Sequence, residues 1–334
     1  MKVIDVHAHV IPPALVAMMR EGTAPDGVTI EDRGGSPWVV HRQGYRYPLA
    51  PAFHDVEARL AKMDEDGIDF AVLSVAPPFL NYGLNPDDAR SASAVINDAL
   101  ADMVAQAPDR FAGVATLPMQ DPSGAIAELH RAVEVLGLRG VQLGSHVEGT
   151  PLDDAGIRPV LEAIQALGVP AILHPYYVGS TPGLDDFYLT NLEGNPWQTA
   201  LAASRLIFSG TLDALPELEL VLVHGGGHLP YQIGRLDHGH RVRSETAGAA
   251  HAPSTYLRRF HYDTLTHLPA AAQWLIEQAG ADRVMFGTDV PFDMAGGALT
   301  SQLEGVDIPS NAFKLIAHEN AERLFSLTGD LPRG

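Results

Sequence analysis

Histidine and aspartate residues follow apolar runs at four separate places in the sequence. The motif DVHAH (5–9) puts His7 and His9 two residues apart, and a β-strand would point both rings to the same face. His174, His224 and Asp289 each end or directly follow another apolar run. A neutral imidazole buried at such a position needs partners for both ring nitrogens, so five independent core residues are the less favoured interpretation.

These residue types together suit a divalent metal ion. Zn²⁺ accepts histidine nitrogens and carboxylate oxygens as ligands, and a catalytic site keeps one position open for water or substrate. We therefore assign His7, His9, His174 and Asp289 as metal ligands. His224 then becomes the acid or base beside the bound water.

Strand-like and helical segments alternate along the chain and must position these residues. Eight candidate strands lie at 3–10, 69–76, 111–117, 140–144, 170–175, 220–225, 261–264 and 284–289. Helical periodicity is found at 55–66, 86–107, 124–136, 155–167, 196–208 and 269–279, and from about 229 and 311. This alternation predicts an α/β protein, with a (β/α)₈ TIM barrel as the leading fold. An open doubly wound sheet is the alternative, but no Gly-x-Gly-x-x-Gly follows the first strand.

Two segments exceed ordinary loop lengths. Residues 12–53 are rich in Gly and Pro and contain alternating patches, which predicts a small β insertion after the first strand. Residues 177–193 follow the fifth strand. Active sites of barrels lie at the carboxyl ends of the strands, so both segments are expected to form lids or binding walls. We expect one domain, 1–334, in which 12–53 forms a small lid-like subdomain.

The composition excludes several classes of function. The 334 residues include 22 Lys and Arg against 41 Asp and Glu, for a formal charge of −19, which opposes binding to nucleic acid or to an anionic membrane. The absence of cysteine excludes disulfides and Cys-ligated metals. No apolar stretch is long enough to cross a bilayer, and no export signal is recognised at the start of the sequence. The expectation is a cytoplasmic protein with a small-molecule substrate.

Taken as an ordered set, the motifs resemble those of the amidohydrolase superfamily over essentially the whole chain. Within it, the sequence is similar to the branch of 2-amino-3-carboxymuconate 6-semialdehyde decarboxylase. The resemblance is carried by DVHAH (5–9), HPY (174–176), HGGG (224–227) with the LPY and GR that follow it, and FGTDVPF (286–292).

The resemblance implies one Zn²⁺ per subunit, held by His7, His9, His174 and Asp289, with Mn²⁺, Co²⁺ or Fe²⁺ as alternatives. It also implies that His224 activates the metal-bound water and that Asp289 can shuttle a proton. Binuclear members of the superfamily bridge two ions with a carbamylated lysine on the fourth strand. That strand carries no lysine here, which agrees with a single metal.

Three further residues are implied as substrate contacts. Arg46 is the best counterpart of an arginine in the insertion of the similar decarboxylases, although the match needs a one-residue shift and Arg42 is close by. Arg235 matches an arginine that reaches the site of the neighbouring subunit, which implies a homodimer or higher oligomer. A guanidinium fits a carboxylate in bidentate geometry. Phe292 is implied to pack against a planar substrate.

The favoured function is metal-dependent decarboxylation of an unsaturated or aromatic carboxylic acid, either aminocarboxymuconate semialdehyde or a related ring-fission product. Many aromatic-acid decarboxylases of the branch carry Glu-x-His on the first strand, and His7 departs from that pattern. A hydrolase of a lactone or amide and a hydratase of an unsaturated dicarboxylate are the enzymatic alternatives. A non-catalytic metal-binding barrel is the alternative from another class.

Overall fold

The computed structural model describes residues 1–177 and 181–327. Residues 178–180 of the second long segment, and the residues after 327, lie outside the described part. The strands are β1 (Ile4–Val10), β2 (Thr29–Arg33), β3 (Ser36–Val40), β4 (Arg46–Pro48), β5 (Phe70–Val75), β6 (Phe111–Gly113), β7 (Val141–Gly144), β8 (His146–Val147), β9 (Thr150–Pro151), β10 (Ala171–His174), β11 (Leu220–Leu222), β12 (Phe260–Asp263) and β13 (Val284–Met285).

The α-helices lie mainly between these strands. They are α1 (Pro13–Glu21), α2 (Val56–Asp66), α3 (Pro86–Ala105), α4 (Pro122–His130), α5 (Arg158–Leu167), α6 (Asn195–Phe208), α7 (Thr211–Ala214), α8 (Leu229–Val242), α9 (Pro269–Ala279), α10 (Leu299–Gln302), α11 (Ser310–Lys314) and α12 (Asn320–Leu324). Among the described residues, no helix is both long and apolar enough to cross a membrane.

Two parallel sheets form the centre of the molecule. One has the order β1-β5-β6 and the other the order β13-β12-β11-β10-β7. Isolated parallel bridges link Ala115 with Val141 and Ala8 with Val290, so residues beyond β6 and β13 pair with the strand next along the chain or with β1. The prediction of an α/β protein with parallel strands is confirmed.

The central strands are buried on both faces, as parallel strands covered by helices must be. Ile172 and Val221 belong to one apolar cluster, whereas their neighbours Leu173 and Leu222 belong to another. This alternation separates residues that face the interior of the strands from residues that face the helices. His174 lies two residues after Ile172 and therefore faces the interior.

Strand β1 changes face within its length. Ile4 and Val6 pack in the interior cluster, but Ala8 and Val10 pack in the cluster under the helices. The pairing of β1 with β5 is irregular between Asp5 and Ala8, and an extra residue at such a bulge reverses the alternation. From the irregularity onward, the residues of β1 that face the interior are therefore His7 and His9.

The segment between β1 and α2 contains a three-stranded antiparallel sheet in the order β2-β3-β4. It has an apolar cluster of its own, which includes Leu15, Val39 and Phe53 and extends to Phe79 beyond β5. Phe292 packs against this cluster from the loop after β13. The insertion is thus attached to the carboxyl ends of β5 and β13.

Helix α2 leads from the insertion back to the central strands. Asp55 caps its first turn by accepting a hydrogen bond from the amide of Ala58, and Gly67 ends it in the left-handed conformation at φ 69°. Arg59 and Met63, one turn apart, are the buried residues of this helix. Its inner face therefore carries a charged residue as well as an apolar one.

Candidate metal centre

His7 and His9 lie side by side at the end of β1, and both are fully buried. Their Nε2 atoms are 3.1 Å apart, and their ring planes are almost perpendicular. Two ring nitrogens this close must either share a proton or face a common cation.

His174 and Asp289 complete a cluster with these two histidines. Asp289 Oδ1 lies 3.1 Å from His9 Nε2 and 3.5 Å from His7 Nε2. One nitrogen or oxygen atom from each of the four residues lies within 4.8 Å of all the others, and all four residues are buried. The four candidates come from β1, β10 and the segment after β13. The carboxyl ends of these elements meet at one end of the central strands.

The partner of each Nδ1 determines which ring nitrogen is free. His7 Nδ1 donates to Asp263 Oδ2 at 2.7 Å, and His174 Nδ1 donates to the carbonyl of Pro175 at 2.8 Å. His9 Nδ1 is 3.0 Å from Ser74 Oγ, whose own proton is directed at the carbonyl of Ala8. In their neutral forms, the three rings therefore direct their Nε2 lone pairs to one point, as metal-binding histidines do.

Carboxylates affect the three histidines differently. Burial opposes protonation of His7, but Asp289 and Asp263 raise its pKa. Burial lowers the pKa of His9 to about 4 and holds the pKa of His174 well below its ordinary value, so both rings are neutral. Burial alone would raise the pKa of Asp289, but the neighbouring histidines hold it well below its ordinary value. His174 Nε2 and Asp289 Oδ1 have no hydrogen-bond donor among the described residues. A divalent cation satisfies these converging lone pairs, so the donor set fits a metal ion.

His224 lies at the edge of this cluster, in a turn directly after β11. Its Nε2 is 3.6 Å from Asp289 Oδ2, and its ring is 5.3 Å from that of His174. Its backbone is left-handed, with φ 55°, as is that of Asp289, with φ 64°. Strained backbone of this kind is frequent at functional sites. The glycines that follow, with positive φ throughout, allow the chain to turn away from the site.

Asp263, at the end of β12, is the main residue of the site that sequence reasoning missed. It holds the His7 ring, and it also accepts the backbone N–H groups of His224 at 3.0 Å and of Gly225 at 2.7 Å. Burial alone would raise its pKa, but the contact with His7 lowers it, so it remains a carboxylate. The available signal was an acidic residue at the end of an apolar strand, the same signal that identified Asp289.

The substrate-contact candidates are placed differently from one another. The Phe292 ring is 5.3 Å from the His9 ring and contacts Tyr47 at 5.1 Å. Arg46 is exposed, and in an extended strand it points away from the face that carries its neighbour Tyr47. Arg235 is exposed on α8, and neither arginine has an ion-pair partner within the ranges that the structure describes. Phe292 therefore contacts a ligand candidate, whereas both arginines are exposed on the single chain.

Tyrosines join the loops that surround the cluster. The rings of Tyr45 and Tyr177 are 4.7 Å apart, which connects the insertion with the loop after β10. The hydroxyl of Tyr188 donates to Asp293 at 3.3 Å, and burial raises its pKa to about 12, so it stays protonated. The described part of the second long segment thus contacts the loop that carries Asp289.

Comparison with known proteins agrees with this architecture. The family model described as amidohydrolase matches residues 4–327. The chain is 35% identical to the 2-amino-3-carboxymuconate-6-semialdehyde decarboxylase of Dictyostelium discoideum over 242 residues, which cover 72% of this chain and 67% of the relative.

Two solved structures extend the comparison to nearly the full length. The 5-carboxyvanillate decarboxylase of Sphingomonas paucimobilis is 28% identical, with a TM-score of 0.82, over 98% of this chain and 99% of the other. The dihydroxybenzoic acid decarboxylase of Polaromonas sp. JS666, solved with bound manganese and the inhibitor 2-nitroresorcinol, is 27% identical, with a TM-score of 0.76, over 98% and 97%. The chain described here belongs to the amidohydrolase family.

Proposed function

We propose that this protein is a metal-dependent carboxy-lyase that decarboxylates an aromatic or unsaturated carboxylic acid. The observation that carries the proposal is that one ring nitrogen from each of three histidines and one carboxylate oxygen lie within 4.8 Å of one another. The relatives named above are decarboxylases, and one of them holds manganese. We further infer that the eight parallel strands close into a (β/α)₈ barrel, in one domain with residues 12–53 as a lid-like insertion.

A single divalent ion would be held by His7, His9, His174 and Asp289. Zn²⁺ suits this donor set, and Mn²⁺ is the alternative that the Polaromonas structure favours. When bound, the ion would act as a Lewis acid that polarises a substrate oxygen beside the carboxylate. The chain's own residues would carry out the proton transfer.

His224 and Asp289 are the proposed proton carriers. The carbon that bears the carboxylate takes a proton from this pair, whose Nε2 and Oδ2 atoms lie 3.6 Å apart. The bond to the carboxylate then breaks, its electron pair returns to the conjugated system, and CO₂ leaves. The proton replaces the carboxylate on the same carbon, so atoms and charge balance. Asp263 keeps His224 in place through the backbone of its turn.

The substrate would lie between the four ligands and the aromatic residues of the surrounding loops. Phe292 offers the face or edge of its ring to a planar substrate. Arg46 and Arg235 are proposed to bind carboxylate groups, Arg235 in the site of a second copy of the chain. Tyr231 on α8, the helix of Arg235, and Trp197 on α6 have exposed side chains. Exposed aromatic side chains of this kind are typical of a homodimer contact.

Metal analysis combined with a test of substrates distinguishes the possible reactions. Purified protein is assayed for metal content and for CO₂ release from freshly generated aminocarboxymuconate semialdehyde, from 2,6-dihydroxybenzoate and from 5-carboxyvanillate. We expect about one divalent ion per chain and CO₂ release from at least one compound. CO₂ release from aminocarboxymuconate semialdehyde alone would indicate that the substrate is a dicarboxylate formed by ring fission. Metal without CO₂ release, together with hydrolysis of a lactone, would contradict the decarboxylase proposal.

A further inference from the structure

Arg59 is a fully buried arginine in helix α2, with 1% of its surface exposed. A buried guanidinium is costly unless its donors are satisfied, so its position requires an explanation. No carboxylate forms an ion pair with it among the described residues, and its Nε has no hydrogen-bond partner there. The two terminal nitrogens make its hydrogen bonds.

Those two nitrogens donate to the main chain of the segments that carry the metal ligands. One Nη donates to the carbonyl of His9, and the other donates to the carbonyl of Val290 at 3.3 Å. His9 is a ligand candidate, and Val290 directly follows the ligand candidate Asp289. The planar fork of the guanidinium therefore connects β1 with the segment after β13 at the point where both carry ligand candidates.

Other hydrogen bonds also join these two segments, among them those from Thr288 to the Asp5 carboxylate and to the His7 carbonyl. The amide of His9 donates to the carbonyl of Val290 at 2.8 Å, and the amide of Asp289 donates to the carbonyl of His7 at 2.7 Å. The ladder itself consists of the single bridge between Ala8 and Val290. The Arg59 guanidinium adds a second hydrogen bond to the carbonyl of Val290 and donates another to the carbonyl of His9.

The backbone around Asp289 also needs external support. Asp289 has a left-handed φ of 64°, which costs free energy unless the surroundings hold it. The carboxylate must remain 3.1 Å from His9 Nε2 for both atoms to reach one ion. A change in the backbone dihedral angles of Asp289 would move its Oδ1 away from His9 and the Val290 carbonyl away from Arg59.

We propose that Arg59 is a positioning residue of the metal centre, which fixes the separation of His9 and Asp289 by binding the carbonyls of His9 and Val290. The inference rests on the proposed metal site and adds a residue that never touches the ion or the substrate. Burial lowers the pKa of Arg59, and the charge of Asp5, which is buried nearby, opposes this shift, so the pKa is about 10. Arg59 therefore remains charged at neutral pH.

Mn²⁺ binding by the metal-free protein tests this role without an activity assay. Chelator-treated wild-type protein and the Arg59→Met and Arg59→Lys variants are titrated with Mn²⁺, and free Mn²⁺ is followed by electron paramagnetic resonance. We expect Arg59→Met to raise the Kd about 10- to 100-fold, as loss of supporting hydrogen bonds does at other metal sites. Arg59→Lys, which keeps the charge but not the fork, should give an intermediate Kd.

Arg110→Met is the matched control. Arg110 also donates to two main-chain carbonyls, those of Asp69 at 2.7 Å and Ile68 at 3.0 Å, but at the start of β5, away from the ligands. Its loss should lower the melting temperature without changing the Kd for Mn²⁺. Equal Kd values for Arg59→Met and Arg110→Met would overturn the positioning role.

The remaining outcomes are equally decisive. If Arg59→Met does not fold, Arg59→Lys decides the question, because a wild-type Kd in that variant would show that the fork is not needed. If the wild-type protein itself binds no Mn²⁺ or Zn²⁺, the metal centre and the role of Arg59 both fail. Wild-type binding with unchanged affinity in the variants leaves the proposed function intact and removes Arg59 alone.

Discussion

The Asp263 carboxylate accepts the Nδ1–H of His7 at 2.7 Å, although 256 residues separate the two in the chain. The same carboxylate accepts the backbone N–H groups of His224, Gly225 and Leu265. One buried side chain therefore orients a ligand and holds the turn that carries the proposed acid or base. Asp263 therefore links the metal centre with the proposed proton-transfer group, His224.

Replacement of Asp263 by asparagine should weaken metal binding. Both carboxylate oxygens face N–H donors, so either orientation of the amide places its NH₂ group against another donor. We expect the Kd for Mn²⁺ to rise about 10- to 100-fold, measured by titration of metal-free protein. Asp98→Asn, which affects an exposed ion pair with Arg131, is the control and should leave the Kd unchanged. An unaltered Kd in Asp263→Asn would remove its supporting role.

Replacement of His224 by alanine should separate metal binding from turnover. His224 is not one of the four clustered residues, so the variant should retain wild-type metal content. Loss of a proton carrier should reduce CO₂ release by about 10²- to 10⁴-fold. Metal analysis and the CO₂ assay are made on the same sample, with His174→Ala as the comparison that should lose the metal. A metal-free His224→Ala protein would contradict the role given to His224.

The insertion should lose stability in mild acid because of His41. Burial lowers the pKa of His41 to about 4, below its ordinary value of 6.5, and its Nδ1 has no partner among the described residues. Between these values the unfolded chain binds a proton that the folded protein does not, so the free energy of unfolding falls as the pH falls. The titration of His41 alone should lower the free energy of unfolding by about 2 kcal/mol between pH 7.5 and pH 5.

His41→Gln tests this prediction by removing the titrating group. Urea unfolding at pH 7.5 and pH 5 should show a smaller decrease in the variant than in the wild-type protein. His130→Gln, at an exposed histidine of α4, serves as the control and should keep the wild-type decrease. Identical pH dependence in all three proteins would show that His41 is not responsible.

Mixed subunits can test whether Arg235 acts across a dimer. Arg235→Ala keeps its metal ligands and His174→Ala keeps its arginine, so each should be inactive alone. A hybrid dimer contains one complete site, and random pairing should restore about a quarter of wild-type activity. Co-expressed, differently tagged chains provide the hybrid, and CO₂ release is measured.

Hybrids of His174→Ala with His224→Ala provide the control for this experiment. Both substitutions affect a chain's own site, so no hybrid of the two contains a complete one. Activity of this control hybrid would show that the recovery does not depend on Arg235 of the neighbouring chain. Full activity of Arg235→Ala alone, or no recovery in the first hybrid, would exclude a role for Arg235 across the interface.

The alternation of apolar strands and amphipathic helices was readable from the sequence because each element depends on local periodicity. The residues that form the metal cluster were readable for the same reason. Each of His174, His224 and Asp289 follows an apolar run, and parallel strands bring their carboxyl ends to one edge. A position at a strand end is a local property, so it could be predicted without knowing the pairing.

The ends of the elements were less predictable. The sixth predicted strand extended to residue 225, but β11 ends at Leu222 and His224 lies in a turn. The last strand ends at Met285 rather than at Asp289. His224 and Asp289 lie outside the ladder because their side chains and backbone are held by other residues of the site. Those residues are distant in the sequence, so local periodicity does not predict this effect.

The sequence by itself determined the α/β class and the residue types that gather at the strand ends. Only the tertiary structure decided how those residues are held. The irregularity in β1 turns His7 and His9 to the interior, and Asp263 and Arg59 reach them from distant elements. It also left Arg46 and Arg235 exposed on the single chain. Such contacts depend on strand register and on packing between segments far apart in the chain, which local sequence patterns do not encode.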